Sequence, residues 1–206
     1  LFFFSSRRRH TRSCLVSWAR RCVRDRLCAL QLNEKRVDVV YAKEVDFSRA
    51  PNLFGLFANR RAALQALQTI ADEQKLCYGL LGLEPLSRGR ACFRSALKRC
   101  AGACCGKESH EEHALRLRQS LERLRVVCWP WQGAVALKEQ HPEMTQYHII
   151  QNWLWLGAVN SLEEATTLIR TPAGFDHDGY KILCKPLLSG NYEITELDPA
   201  NDQQAS

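Results

Sequence analysis

The chain has 206 residues, 46% of them hydrophobic and 25% charged, values near those of ordinary globular domains, which excludes wholesale disorder and allows one medium domain or two small ones. No apolar run approaches the roughly 18–20 residues that a membrane-spanning helix needs, so a spanning protein is excluded too. The formal net charge of +7 invites a nucleic-acid reading only until it is located: residues 1–26 hold eight of the 29 basic residues against one of the 22 acidic ones, leaving 21 of each for the rest.

Residues 1–26 read LFFFSSRRRHTRSCLVSWARRCVRDR. A secretory signal places basic residues before its apolar stretch, whereas here Phe2–Phe4 precede the arginines. Ser5 to Arg12 and Val16 to Val23 each match the translation of a common sequencing-library adapter or primer, in the order a library molecule carries them. The segment is therefore expected to be non-native and disordered, and its charge carries no functional weight.

From Leu27 onward the elements follow one another closely. Val37 to Val45 alternates with β-branched residues and predicts a strand. The apolar run Phe54 to Phe57 precedes Asn59, a candidate helix cap, and Leu64, Leu67 and Ile70 then recur at helical spacing to about Lys75. Ser109 and Glu112 form a capping box ahead of Leu117, Leu121 and Leu124, which predicts a helix over 109–125. Val126 to Lys138 and Thr145 to Val159 read as extended, the second equally compatible with a buried helix. Trp129 with Trp131, and Trp153 with Trp155, would each share a strand face and pack across a hairpin. Ser161 and Glu164 open a helix that ends near Thr171. Asp178-Gly179 reads as a hairpin turn into a strand over Tyr180 to Leu187. The fold class is α+β, with a cysteine-rich helical waist between short mixed strand and helix segments. Its expected divisions are 27–125, 126–198 and a tail at 199–206.

Charge is uneven within the native part. Residues 88–125 carry ten basic against four acidic side chains, whereas 126–206 carry four against ten. Only the waist therefore suits contact with a phosphate backbone, through Arg88, Arg90, Arg94, Lys98 and Arg99. The alternative is a solvated helix face. His110 and His113 read as exposed first-turn positions. Asp176, His177 and Asp178 fit a turn better than a cation site.

Cys77, Cys92, Cys100 and Cys104 have the spacing C-x14-C-x7-C-x3-C, with Cys105 and Gly106 behind. Cys100 and Cys104, four apart, would share one helical face. Gly102 and Gly106 would let the backbone fold closely around a bound centre. Four thiolates suit zinc or an iron–sulfur cluster. Reduced cysteines used as small apolar side chains are the plain alternative. The spacing matches neither the paired knuckles of a zinc ribbon nor the ferredoxin run.

The stretch from Phe54 to Cys77, then Cys92, Cys100, Cys104 and the run from Gly106 to Glu112, resembles the UvrC family of nucleotide-excision-repair nucleases. The resemblance extends over nearly all of 27–206, departing in the longer gap before Cys92 and in Cys105. It implies a four-iron cluster on Cys77, Cys92, Cys100 and Cys104, with zinc as the alternative. It also implies a cytoplasmic protein of the SOS response that cuts damaged double-stranded DNA on the 3′ side of a lesion marked by UvrA and UvrB. The family's GIY-YIG nuclease motifs do not occur in these 206 residues. No catalytic residue is therefore expected here, and the catalytic divalent metal would belong to a nuclease domain that this chain lacks. A gene cut by an assembly edge would account for adapter sequence standing where that domain belongs.

Overall fold

A computed structural model describes residues 26–33, 36–86, 90–142, 144–169 and 175–197. The expectation of disorder over 1–26 falls outside these, apart from the exposed Arg26. The tail at 199–206 falls outside them as well.

Strands β1 (Cys28–Leu32), β2 (Val37–Tyr41) and β3 (Leu53–Phe57) form an antiparallel sheet in the order β2-β1-β3. Sequence reading missed β1, because its five residues show no alternation: Cys28, Ala29 and Leu30 are all buried. The reason is that this strand separates two cores. Cys28 and Leu30 pack with Phe54 and with Ala63, Leu67 and Ile70 of helix α1 (Arg60–Glu73). Leu27 and Ala29 point the other way, into a cluster with Phe47, Leu53 and Trp153. A strand buried on both faces reads as a continuous apolar run.

Helix α1 starts where the cap predicts, the Asn59 side chain accepting from the Ala62 N–H at 2.9 Å. Two short turns follow, α2 (Phe93–Ala96) and a 3-10 turn at Ala103–Cys105. Helix α3 (His110–Glu122) begins with the expected capping box, Ser109 and Glu112 each satisfying the other's backbone N–H. Its Leu117 and Leu121 close the core under α1.

The second sheet comprises β4 (Ala134–His141), β5 (Met144–Gln151), β6 (Leu154–Val159) and β7 (Ile194–Leu197), antiparallel in the order β6-β5-β4-β7. Val135, Leu137 and Ile150 face the core shared with Leu27 and Ala29, while Ala134, Ala136 and Ile149 face Ala165 of α4 (Ala165–Ile169). The sheet thus alternates between two apolar environments. Helix α4 starts later than the Ser161 cap implied, and its expected end near Thr171 lies outside the described residues. Residues 126–133 are irregular rather than extended, so β4 begins eight residues after Val126.

The tryptophans depart from the expected pairing. Asn152 and Trp153 form the two-residue turn between β5 and β6, both left-handed with φ of 52° and 64°. Left-handed backbone is rare for a bulky residue. The cost is offset by complete burial of the indole, whose N–H donates to the Val127 carbonyl at 3.1 Å. Its ring lies edge-on to Trp129 and Tyr180, each at a centroid distance of 5.1 Å. Trp155, on β6 proper, is 45% exposed and not part of that stack.

The strand expected over Tyr180 to Leu187 is instead helix α5 (His177–Leu188). Tyr180, Leu183 and Leu187 recur at helical spacing and all reach the shared core, so the period outweighed the turn signal of Asp178-Gly179. Gly179 lies inside the helix because a Cβ there would stand 2.8 Å from the Trp153 carbonyl oxygen.

Candidate metal centre

The end of α1 sets the first cysteine. Lys75 is left-handed (φ 51°), the Leu76 N–H returns to the Ala71 carbonyl, and Cys77 emerges at the base of the helix. Cys92 caps the short α2. Cys100 and Cys104 lie on either side of Gly102, at the 3-10 turn that Gly102 (φ 98°) and Gly106 (φ 79°) bracket. They do not share a helical face as expected. The two left-handed glycines fold the turn back on itself, and a Cβ at Gly102 would meet the Lys107 side chain at 2.8 Å.

The result is convergence. The sulfurs of Cys77, Cys92, Cys100 and Cys104 all lie within 4.8 Å of one another. Backbone N–H groups are aimed at them: Cys92 to the Cys104 sulfur and Gly102 to the Cys100 sulfur, each at 3.4 Å. The Cys77 thiol also has backbone partners at Leu80 and Gly79. All eight cysteines among the described residues are free thiols, so no disulfide explains the cluster. Cys105 is turned aside, its thiol donating to the Gly102 carbonyl at 3.3 Å.

Ionisation follows burial. Burial raises the Cys77 pKa and pushes that of Cys100 up to about 12. Burial opposes ionisation at Cys92 as well, but the Ser95 N–H and the thiols of Cys104, Cys100 and Cys77 outweigh it and hold its pKa below the usual thiol value. A site that keeps buried thiols protonated when empty exchanges those protons for a cation on binding. Four soft donors with N–H groups directed at the sulfurs fit a thiolate-bound metal. Four sulfurs on one zinc ion, at about 2.3 Å each, would stand about 3.8 Å apart in a tetrahedron. Separations up to 4.8 Å lie close to that. A four-iron cluster binds each thiolate to a different iron and needs the sulfurs to spread further.

His113 is where sequence reasoning erred most. It is 5% exposed rather than a surface residue, and its Nε2 accepts the Cys77 N–H at 3.0 Å. Burial lowers its pKa, which keeps the accepting lone pair available. Its spacing with Leu117 and Leu121 places it on the buried stripe of α3, a signal present in the sequence. His110 sits within hydrogen-bond distance of the Ala103 carbonyl, 3.2 Å from Nε2. Both histidines of the first turn thus brace the cysteine loops.

Of the five basic residues expected to meet phosphate, Arg88 lies outside the described residues. Arg90, Lys98 and Arg99 are exposed around the cluster. Arg94 is not free to act with them. Its side chain is only 11% exposed, pairs with Asp72, and lies 3.7 Å from the centroid of the Tyr78 ring. Stacking and ion pairing make Arg94 an internal strut between α2 and α1. Asp176, His177 and Asp178 open α5, where His177 Nδ1 approaches the Asp178 carboxylate at 3.2 Å.

Residues 27–123 match the model of the UvrC/Cho excinuclease middle domain, and residues 134–201 match the excinuclease Cho C-terminal domain. The chain belongs to the UvrC/Cho excinuclease family. Within this family it is 99% identical over 180 residues to excinuclease cho of Escherichia coli, covering 87% of this chain and 61% of that protein. It is 99% identical over the same length to excinuclease cho of Shigella flexneri, and 77% identical over 171 residues to that of Salmonella typhi, covering 83% of this chain and 58% of the relative. The chain therefore spans about three fifths of the length of the curated relatives it matches. No solved structure matches it. Among the described residues no helix is long and apolar enough to cross a membrane.

Proposed function

We propose that this chain is the DNA-facing, non-catalytic portion of a cytoplasmic repair endonuclease. The complete enzyme would incise on the 3′ side of a lesion in damaged double-stranded DNA after UvrA and UvrB mark it. The observation that carries the reading is the convergence of four cysteine sulfurs beside exposed Arg90, Lys98 and Arg99. A metal on Cys77, Cys92, Cys100 and Cys104 would tie the end of α1, the α2 turn and the 3-10 turn together, and so hold three cationic side chains in one place. The centre's work is structural, and the phosphate contacts are sequence-blind and weakened by salt.

Family likeness favours an iron–sulfur cluster as the occupant. A single zinc ion is the second reading, supported by the narrow spread of the sulfurs. The division at Arg125 and Val126 gives a unit at 27–125 that presents the centre and a unit at 126–198 that buttresses it. Support for the buttress is the core both contribute to, with Leu27, Ala29 and Leu53 packed against Trp129, Val135 and Trp153.

The test uses the whole chain, purified without oxygen. Absorbance near 400 nm with iron and sulfide in the protein supports the cluster, whereas a colourless protein holding one zinc supports the second reading. Absence of both metals after reconstitution refutes a metal centre. The chain should bind duplex DNA in a salt-dependent way and leave supercoiled plasmid intact with magnesium. Nicking that co-purifies with the chain through successive columns would refute the non-catalytic assignment.

A further inference from the structure

Phe93 is 77% exposed and Leu97 is 51% exposed, although both lie close in the chain to the converging cysteines Cys92 and Cys100. They are four residues apart, Phe93 opening α2 and Leu97 capping its end, a spacing that puts side chains on one side of a helical turn. The same turn is held from behind. Cys92 and Cys100 flank it, and Arg94 reaches inward to Tyr78 and Asp72. A short element fixed at both ends and strutted in the middle thus offers two large apolar side chains to solvent. Around them stand Arg90, Lys98 and Arg99, all exposed, and none has an acidic partner among the ion pairs of the described residues.

An exposed aromatic ringed by cations has one chemical match above others. Phosphates take the cations, and the apolar face takes a base, whose ring is flat, apolar on its faces and covalently tied to the phosphate. In intact duplex the base faces are already stacked on one another and closed to the protein. Only unpaired or unstacked bases offer them. We propose that Phe93, backed by Leu97, is a stacking platform for unstacked bases, so that the cysteine-rich waist recognises locally opened DNA rather than duplex as such. This rests on the reading of the waist as DNA-facing and deepens it by naming the feature of the substrate that is read.

The platform is made before binding. The backbone of the turn is already held by Cys92 and by Arg94, so contact orders only the two side chains and not the segment that carries them. The charge partners supply attraction that does not distinguish the two forms of DNA. Discrimination therefore appears in the ratio of affinities and not in either affinity alone.

The experiment is fluorescence anisotropy with the full chain on two labelled DNAs of equal length, one fully paired and one with a central bubble of unpaired bases. Phe93→Ala is expected to weaken bubble binding by roughly 5- to 150-fold, the range that a stacking contribution of about 1–3 kcal/mol per base implies, and to leave paired duplex within about twofold. Arg99→Gln should weaken both DNAs alike, and Leu115→Ala, another exposed apolar residue, should weaken neither. A 2-aminopurine placed in the bubble should be quenched by the wild-type chain and less so by Phe93→Ala. Equal loss on both DNAs, or no loss on either, overturns the platform; the second result would assign the apolar face to a protein partner. If the wild-type chain binds neither DNA, the DNA-facing reading itself falls, and the platform with it.

Discussion

His113→Leu removes the acceptor for the Cys77 N–H while keeping a side chain of comparable bulk in a buried position. The Cys77 N–H then has no partner at the same place, and the unmet buried donor costs about 1–3 kcal/mol. For a chain of this length, about 2 kcal/mol lowers Tm by roughly 4–8 °C. A second effect would reach a metal held on the four cysteines. Cys77 is set by its backbone, so freeing its amide loosens one of four sulfurs, and loss of such an outer support typically costs about 10- to 100-fold in metal affinity. His113→Gln, whose side-chain oxygen can replace the accepting nitrogen, should recover most of both losses. Thermal unfolding followed by circular dichroism gives the first quantity. Metal release to a competing chelator gives the second. The reasoning is refuted if His113→Leu unfolds within about 1 °C of wild type and releases metal at the same rate, because the Cys77 amide would then need no acceptor.

Other outcomes follow from single contacts. Tyr180 accepts the Val127 N–H at 2.9 Å, and its pKa is pushed up to about 12, chiefly by burial. The unfolded phenol ionises near pH 10, so this contribution to stability is full below about pH 10 and is lost as the pH rises towards 12. Urea midpoints over that range should fall less steeply for Tyr180→Phe, and an unchanged slope would contradict the assignment. Gly179→Ala should destabilise the fold even though alanine is the better helix former by about 1 kcal/mol, because the new Cβ meets the Trp153 carbonyl oxygen and not a movable side chain; a raised Tm would count against this. Trp153→Ala should cost about 3–5 kcal/mol in denaturant titrations, the indole being fully buried at the meeting point of both sheets and α5. Arg94→Gln should lower stability yet leave the salt dependence of DNA binding unchanged, whereas Arg99→Gln should do the reverse, with the slope falling by about 0.9 for one phosphate contact. Equal slopes for the two variants would argue against separating a strut from a contact.

Much of the chain could be read locally. Asn59 with its following apolar period, and Ser109 with Glu112, gave helices α1 and α3, because a cap and its helix lie within a few residues of each other. The four cysteines and the cationic waist were also legible, and with them the family, since residue type and spacing are properties of the sequence itself. What tertiary structure decided depended on neighbours far along the chain. Strand β1 is apolar on both faces because residues from both sheets close over it. Tyr180 to Leu187 is helical because a partner core waits on one side of it and the Trp153 carbonyl leaves room only for glycine. The same holds at the site. Spacing brought the cysteines to notice, but their approach to within 4.8 Å needed two left-handed glycines and the docking of α3. Arg94 and His113 look like surface residues until Tyr78, Asp72 and Cys77 are placed beside them. Local propensities act over one or two turns, whereas burial and hydrogen-bond partners are set by contacts between segments 20 to 40 residues apart.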